Sequence, residues 1–316
     1  MASLDASNRT LRLTDGQSLT YDAALLATGG IPKLLTLPGA DLPQVFVLRS
    51  RAHAQQILHS ASAGQRVVII GDSFIAMESA SSLRQLGLDV TVLARHAVPF
   101  AKQFGETVGK AIRARHEAHG VMFHTQGNAA QIEGTDKVEA VHLDNGQRLA
   151  ADLVLVGIGV TPATAAFTGL AKEQDQSLRV DGAMRVADGL WAAGDIATFP
   201  LNNQYVRIEH WRLAQQQARI AAANMLGGDE HYLDVPFFWT WHFGKTYDYL
   251  GHAEAWDEVE FKGDPYDPPF IGLFGKNGVV SAALACEMDR AMAMLAERMK
   301  QPLPWEEAWR LIRDAP

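Results

Sequence analysis

The chain is poor in cysteine: its 316 residues contain one, Cys286. A lone thiol excludes an internal disulfide framework, a CxxC redox pair and a thiolate zinc site within the chain. Positive charge is also scarce. Lys and Arg total 28 against 36 Asp and Glu, for a formal net charge of -8. A free-standing nucleic-acid binder is normally basic, so that class is disfavoured. No apolar run approaches the ~20 residues that a membrane helix requires. The segment Met1 to Thr10 lacks the basic-then-apolar order of a secretion signal. Neither repeats nor low-complexity linkers occur, so the domains are expected to pack together rather than to be strung out. These absences make a membrane-free, cytoplasmic, reducing setting the default expectation.

What remains is an ordinary globular composition, 47% hydrophobic and 20% charged, long enough for two or three cores. Short strands are expected at Arg9 to Leu13 and Leu19 to Tyr21. The apolar run Tyr21 to Ala27 stops at the breaker cluster Thr28-Gly29-Gly30-Ile31-Pro32. A helix is expected over Ser50 to Ser60. Arg66 to Ile70 reads as a buried strand, Phe74 to Leu86 as a helix closed by Gly87, and Asp89 to Ala94 as a second buried strand. Strand, helix and strand in about thirty residues specify a right-handed parallel βαβ unit. Further along come a helix at Gly105 to His119, strands at Val121 to His124 and Asp152 to Val156, and a meander over Val138 to Leu149 between those two strands. Leu190 to Ala193 runs into Gly194-Asp195, and a helix follows over Leu213 to Met225. Beyond Val235 aromatics become dense and strands alternate, followed by a helix at Asp289 to Met299, the pattern of an antiparallel α+β domain.

The loop Gly71-Asp72-Ser73-Phe74-Ile75-Ala76 follows the first strand of the βαβ unit. Against the dinucleotide fingerprint G-x-G-x-x-G/A, Gly71 and Ala76 match and Ser73 replaces the middle glycine. The helix N-terminus offers unpaired N–H groups to a pyrophosphate, and the Ser73 hydroxyl is a further donor. An ordinary ligand-free βα turn is the alternative. The second strand ends at Ala94-Arg95-His96, with no carboxylate for a ribose 2′-hydroxyl. Arg95 and His96 suit a 2′-phosphate instead, which leans towards NADPH, although a solvated Arg95 fits the sequence nearly as well. Glu78 stands one turn into the helix, where it serves either a nicotinamide carboxamide or the helix dipole. Asp195 follows a buried strand, a place suited to holding a polyol or to capping a helix. His116-Glu117-Ala118-His119 is not HExxH, so a solvated helix face is expected there and no metal site. Cys286 is expected to be an inert core thiol.

Several stretches together resemble the flavin-dependent ferredoxin and rubredoxin reductases, nearest to the apoptosis-inducing-factor-like branch associated with Rieske iron–sulfur domains. They are YDAALLATGGIPK (Tyr21 to Lys33), VVIIGDSFIAMESA (Val67 to Ala80), LVLVGIGVTPAT (Leu153 to Thr164), LWAAGDIATFP (Leu190 to Pro200), IEHWRLAQQQARIAAANML (Ile208 to Leu226) and VPFFWTWHFGKTYDYLGHAEAWDEVEFKGD (Val235 to Asp264). The last two are the specific ones. The resemblance implies an α/β fold with a Rossmann-like NAD(P)-binding domain (50–163), a partial FAD-binding domain (1–49 and 164–232) and a C-terminal α+β domain with an antiparallel sheet (233–316). It puts Thr28 and Gly29 near the FAD, Asp195 after Gly194 on the ribityl chain, and Glu209, His210 and Trp211 beside the isoalloxazine ring. It brings Trp239 towards the flavin and makes Gly157 and Gly159 the points of nicotinamide approach. The implied chemistry is hydride transfer from NAD(P)H to FAD, then single-electron steps to a ferredoxin, rubredoxin or Rieske acceptor. No side chain need act as acid, base or nucleophile, so no catalytic residue is expected. The family ordinarily begins with another strand–glycine loop–helix, so the chain is expected to start in the closing meander of its FAD domain, roughly a hundred family residues short. The rival expectation is a non-enzymatic NAD(P)-binding protein, or a fragment that works only with its missing half.

Overall fold

The computed structural model describes residues 2–314; the outer limits of the expected domains, at Met1 and Pro316, lie outside that range. The fold is mixed α/β, with two compact units. One comprises Met1–Ile31 and Val160–Phe238, the other Pro32–Gly159 and Trp239–Pro316.

The second unit contains a five-stranded parallel sheet, ordered Val45–Val47, Leu153–Val156, Arg66–Ile70, Asp89–Leu93 and Met122–His124. Its central strands read as unbroken apolar runs because both faces are covered. Val68, Ile70, Val154 and Val156 pack against Ile132, Val138, Val141 and Leu143 of an antiparallel meander. The helix Phe74–Gln85 returns the chain between two of the parallel strands and buries Ala76, Met77, Ala80 and Leu83. Arg66 locks its strand to the neighbouring strand of the same sheet by a forked bond to Asp152, with Nε at 3.0 Å from Oδ2 and Nη2 at 2.8 Å from Oδ1. The same unit holds a second five-stranded sheet, ordered Phe237–His242, Lys245–Gly251, Val279–Cys286, Asp267–Lys276 and Glu258–Asp264. Helices Asp289–Arg298 and Trp305–Asp314 follow it.

The first unit is built from shorter pieces. Ser3–Asp5, Thr10–Arg12 and Ser18–Thr20 form a meander, and Phe167–Thr168 adds in parallel to its edge. Ala24–Leu26 pairs in parallel with Leu190–Ala192. Leu4, Leu26, Phe167, Leu190, Ile196, Phe199 and Leu213 lie in one core beneath the helix Trp211–Met225.

Three expectations need correction. The helix placed at Gly105 to His119 spans Ala101–Ala118, with a break at Gly105, whose φ of 77° and ψ of 164° leave helical space. A strand at Ala129–Gly134 and the helix Trp305–Asp314 went unforeseen. The signals for that helix were Pro304 just before it and Glu306 and Glu307 in its first turn. His116 is fully buried rather than on a solvated face, because its Nδ1 lies 2.9 Å from the Ile112 carbonyl and its Nε2 3.2 Å from that of Met77. Its partner in that pattern, His119, is exposed.

Candidate functional site

The loop Gly71–Ser73 leaves the C-terminal end of a central parallel strand and enters a helix. Gly71 has φ of 114°, and a Cβ there would stand 2.4 Å from the Gly157 carbonyl oxygen. Only glycine satisfies both conditions, so two neighbouring strand ends meet backbone to backbone. Gly157 in turn faces the helix: its Cβ would stand 2.7 Å from Ala76 Cβ. Gly157 and Ala76 are thus the close-packing pair of the unit. Gly159, with φ of 96°, has open space where a Cβ would be.

Ser73 caps the helix, its Oγ accepting the Ala76 amide N–H at 3.3 Å. Phe74 stacks on Phe100 with ring centroids 4.6 Å apart and also touches Phe104. Ile75 is half-buried. Arg95 is exposed. His96 turns towards the loop, its backbone N–H reaching Asp72 Oδ2 at 3.0 Å and its Nδ1 lying 2.9 Å from the same oxygen. Asp72, unremarked in the sequence, therefore ties the loop to the end of the second strand. Glu78 is half-buried, and its Oε1 accepts from the Thr240 hydroxyl at 2.6 Å and the Trp241 amide at 3.2 Å. Trp239, half-buried, precedes Thr240 on the same strand.

In the other unit, Thr28 donates its hydroxyl to the Ala163 carbonyl at 2.8 Å, and Gly29, with φ of 69°, accepts the Ala163 N–H at 2.8 Å. Gly194, with φ of 77°, opens a single 3-10 turn that carries Asp195. The Gly194 amide donates to Gln217 Oε1 at 2.8 Å, while Gln217 Nε2 is buried without a partner. A Cβ on Gly30 would crowd Val160, 3.0 Å from its Cγ2, and would lie 3.6 Å from Asp195 Oδ2. His210 caps the helix Trp211–Met225 through Nδ1, which accepts the Arg212 N–H at 3.2 Å, and burial holds its pKa below the usual histidine range. Trp211 is exposed.

Arg207 organises this cluster, and sequence reasoning passed over it. Its Nη1 donates to the Asp195 carbonyl at 3.1 Å and to Glu209 Oε1, and its Nε donates to Asp175 Oδ2 at 2.5 Å. Burial disfavours the guanidinium charge, yet these carboxylates outweigh burial and raise its pKa. A lone arginine between Val206 and Ile208 was the available signal.

Cys286 is fully buried, and burial, with Glu287 nearby, pushes its thiol up to about 11. It is therefore protonated and poorly nucleophilic at neutral pH. Among the described residues no helix is long and apolar enough to cross a membrane, and no group of His, Cys, Asp or Glu is arranged to hold a metal ion.

The sequence pattern of a family described as pyridine nucleotide-disulphide oxidoreductase matches residues 1–218. Apoptosis-inducing factor 3 of Mus musculus is 34% identical over 304 residues, covering 94% of this chain and 50% of that protein. The chain thus spans half the length of that relative. The biphenyl dioxygenase system ferredoxin–NAD(+) reductase component of Paraburkholderia xenovorans is 33% identical over 295 residues, 92% of this chain and 72% of the relative. Among solved structures, the covalent putidaredoxin reductase–putidaredoxin complex superposes with a TM-score of 0.88 at 28% identity, over 96% of this chain and 75% of that one.

Proposed function

Because the chain belongs to the pyridine nucleotide-disulphide oxidoreductase family, we propose that it acts as an NAD(P)H-dependent FAD oxidoreductase that passes electrons to a small iron–sulfur carrier. The observation that carries this reading is the pairing of a glycine-built helix N-terminus at the C-terminal end of a central parallel strand with a lone thiol that is buried and poorly ionised. The first is suited to a dinucleotide. The second removes the cysteine relay that disulfide chemistry would need from this chain. The relatives support the partner class, since the Paraburkholderia protein is named for ferredoxin and the solved complex contains putidaredoxin.

The residues fit the groups. Gly71 and the Ser73-capped helix would hold a pyrophosphate, Gly157 and Gly159 would leave the nicotinamide room, and Glu78 would receive its carboxamide. Arg95 with His96 favours a 2′-phosphate, so NADPH is the proposed donor. Asp195, Thr28, Gly29 and the segment Glu209–Trp211 would hold the flavin, with the partnerless Gln217 Nε2 as a spare donor. When bound, the nicotinamide supplies a hydride and the flavin parcels it out as single electrons. The chain's own residues align the two, exclude water and carry no covalent step.

An absorbance spectrum of the purified chain, with and without added FAD and then with NADPH or NADH, tests this. Flavin bands that bleach on nucleotide addition are expected, faster with NADPH. A protein that binds nucleotide yet never takes up FAD would make it a nucleotide-binding protein instead.

A further inference from the structure

The nucleotide helix is joined to the strand Phe237–His242 by a hydrogen-bond chain that ends on a buried histidine. Glu78 Oε1 accepts from Thr240 Oγ1 at 2.6 Å and from the Trp241 amide at 3.2 Å. Thr240 Oγ1 lies 3.0 Å from His242 Nε2. Thr240 is 1% exposed and His242 0%.

The polarity of the chain follows from counting protons. A hydroxyl has one proton, and an ionised carboxylate only accepts. The Thr240 proton therefore goes to Glu78, and the hydroxyl lone pair faces His242. His242 must then carry its proton on Nε2, which leaves Nδ1 bare. Nδ1 is buried and has no partner, which suits a bare lone pair better than an N–H, the costlier group to orphan. The ring is enclosed by Phe100, His116 and Tyr247, at centroid distances of 5.7, 5.1 and 5.8 Å. Burial, with His116 and Arg115 adding to it, keeps His242 neutral.

We propose that Thr240 is a positioning residue for Glu78: the His242–Thr240–Glu78 chain occupies one carboxylate oxygen so that the other is presented, in a fixed orientation, to the carboxamide of a bound nicotinamide. This rests on the nucleotide-binding reading above. It also makes the strand that carries Trp239 answer to the nucleotide helix through Glu78. Two buried polar residues, Thr240 and His242, sit two apart on one face of an otherwise aromatic strand, and this chain gives both a task.

The test compares NADH with ADP-ribose, which shares the pyrophosphate but lacks the nicotinamide, by calorimetry on the full chain. Thr240→Val is expected to weaken NADH about tenfold and leave ADP-ribose within about twofold, and Thr240→Ser should restore NADH binding. Equal losses for both ligands, or no loss for either, overturn the proposal. Nitrogen-15 histidine spectra of the unsubstituted chain test the polarity without any variant. A protonated Nε2 with bare Nδ1 at His242 is expected, and the opposite tautomer overturns the chain. If the unsubstituted protein binds ADP-ribose but not NADH, this proposal falls while the dinucleotide loop stands. If it binds neither of these nor NADPH, the proposed function falls as well; if it binds NADPH alone, NADPH and 2′-phospho-ADP-ribose take their places in the comparison.

Discussion

The two compact units build their candidate nucleotide sites by opposite means. In the unit of residues 32–159 and 239–316, the loop at Gly71 is made by backbone. Regular parallel strands, a capped helix and two glycines set its shape, and adjacent elements meet at distances only glycine permits. In the unit of residues 1–31 and 160–238, strands run two to five residues, and the cluster around Asp195 is held by a charged side chain. Arg207 ties Asp175, Asp195 and Glu209 together from three stretches of chain. A site made of backbone is rigid and leaves a local pattern in the sequence. A site made of side chains is assembled at long range and leaves almost none.

The largest expected effect strikes the backbone-built site. Gly71→Val puts a β-branched side chain into φ of 114° with its Cβ 2.4 Å from a carbonyl oxygen. A loss of at least about 3 kcal/mol is expected from strain and overlap, seen as a large fall in melting temperature together with loss of nucleotide binding. Gly159→Ala makes the control. It shares a positive φ but meets nothing, so only the left-handed penalty of about 1–2 kcal/mol applies. Equal losses at both positions would erase the claim that close approach, rather than φ alone, dictates the loop.

Next comes the side-chain-built site. Arg207→Ala leaves Asp175 and Glu209 without their common donor, at a cost of about 2 kcal/mol. Arg207→Lys should recover less than half, because one ammonium cannot serve three acceptors spread around a planar fork. Melting curves give the size, and limited proteolysis should locate the loosening in residues 172–210. Nucleotide binding at the Gly71 loop should survive.

The same contrast explains what could be read before the structure. The βαβ unit was legible because Arg66 to Leu93 carries its strand, turn, helix and strand signals in order. The C-terminal antiparallel sheet was legible from alternation. The terminal helix was missed although Pro304, Glu306 and Glu307 announce it. Asp72, Arg207, Thr240 and His242 were passed over for a deeper reason. Asp72, Arg207 and Thr240 each bond a residue distant in sequence, and His242 acts through Thr240; pairing across 162 positions, as between Glu78 and Thr240, has no local signature. His116 misled because an i,i+3 histidine pair reads as a surface pattern, whereas carbonyls at both ring nitrogens made it a core residue.

Acid should also separate the two units. His116 and His242 have pKa values depressed by burial in the fold, so the unfolded chain binds protons that the folded chain refuses. Their contribution to stability is whole above the unfolded value of about 6.5 and is lost as pH falls below it. Asp175 runs the same way, but in a lower pH window. Burial raises its pKa, but bonds from Ser177 and Arg207 outweigh burial and lower it, so its contribution persists until pH falls below about 3.8. Half-buried His210 adds a smaller acid sensitivity to its own unit. Between pH 7 and 5, amide protection factors should therefore drop around Ile112–His119 and Thr240–His242 before they drop around Asp175–Arg207. Simultaneous loss would mean that the units unfold as one.

The smallest effect is on stability and the most selective on ligand. Arg95 is exposed and lies two residues past a strand whose C-terminal end offers no carboxylate, so Arg95→Ala should change stability by no more than about 0.5 kcal/mol. Removing a cation that pairs with a 2′-phosphate should nonetheless weaken NADPH about tenfold and leave NADH unchanged. Asp72, in the facing loop, spends Oδ2 on both the amide and the ring of His96. With that oxygen engaged, Arg95 is the group proposed to distinguish the two nucleotides. If NADPH and NADH weaken together, Arg95 acts on the shared pyrophosphate. If neither changes and Asp72→Asn instead weakens NADH alone, the ribose is read by the loop carboxylate, and backbone-built and side-chain-built recognition meet in one loop.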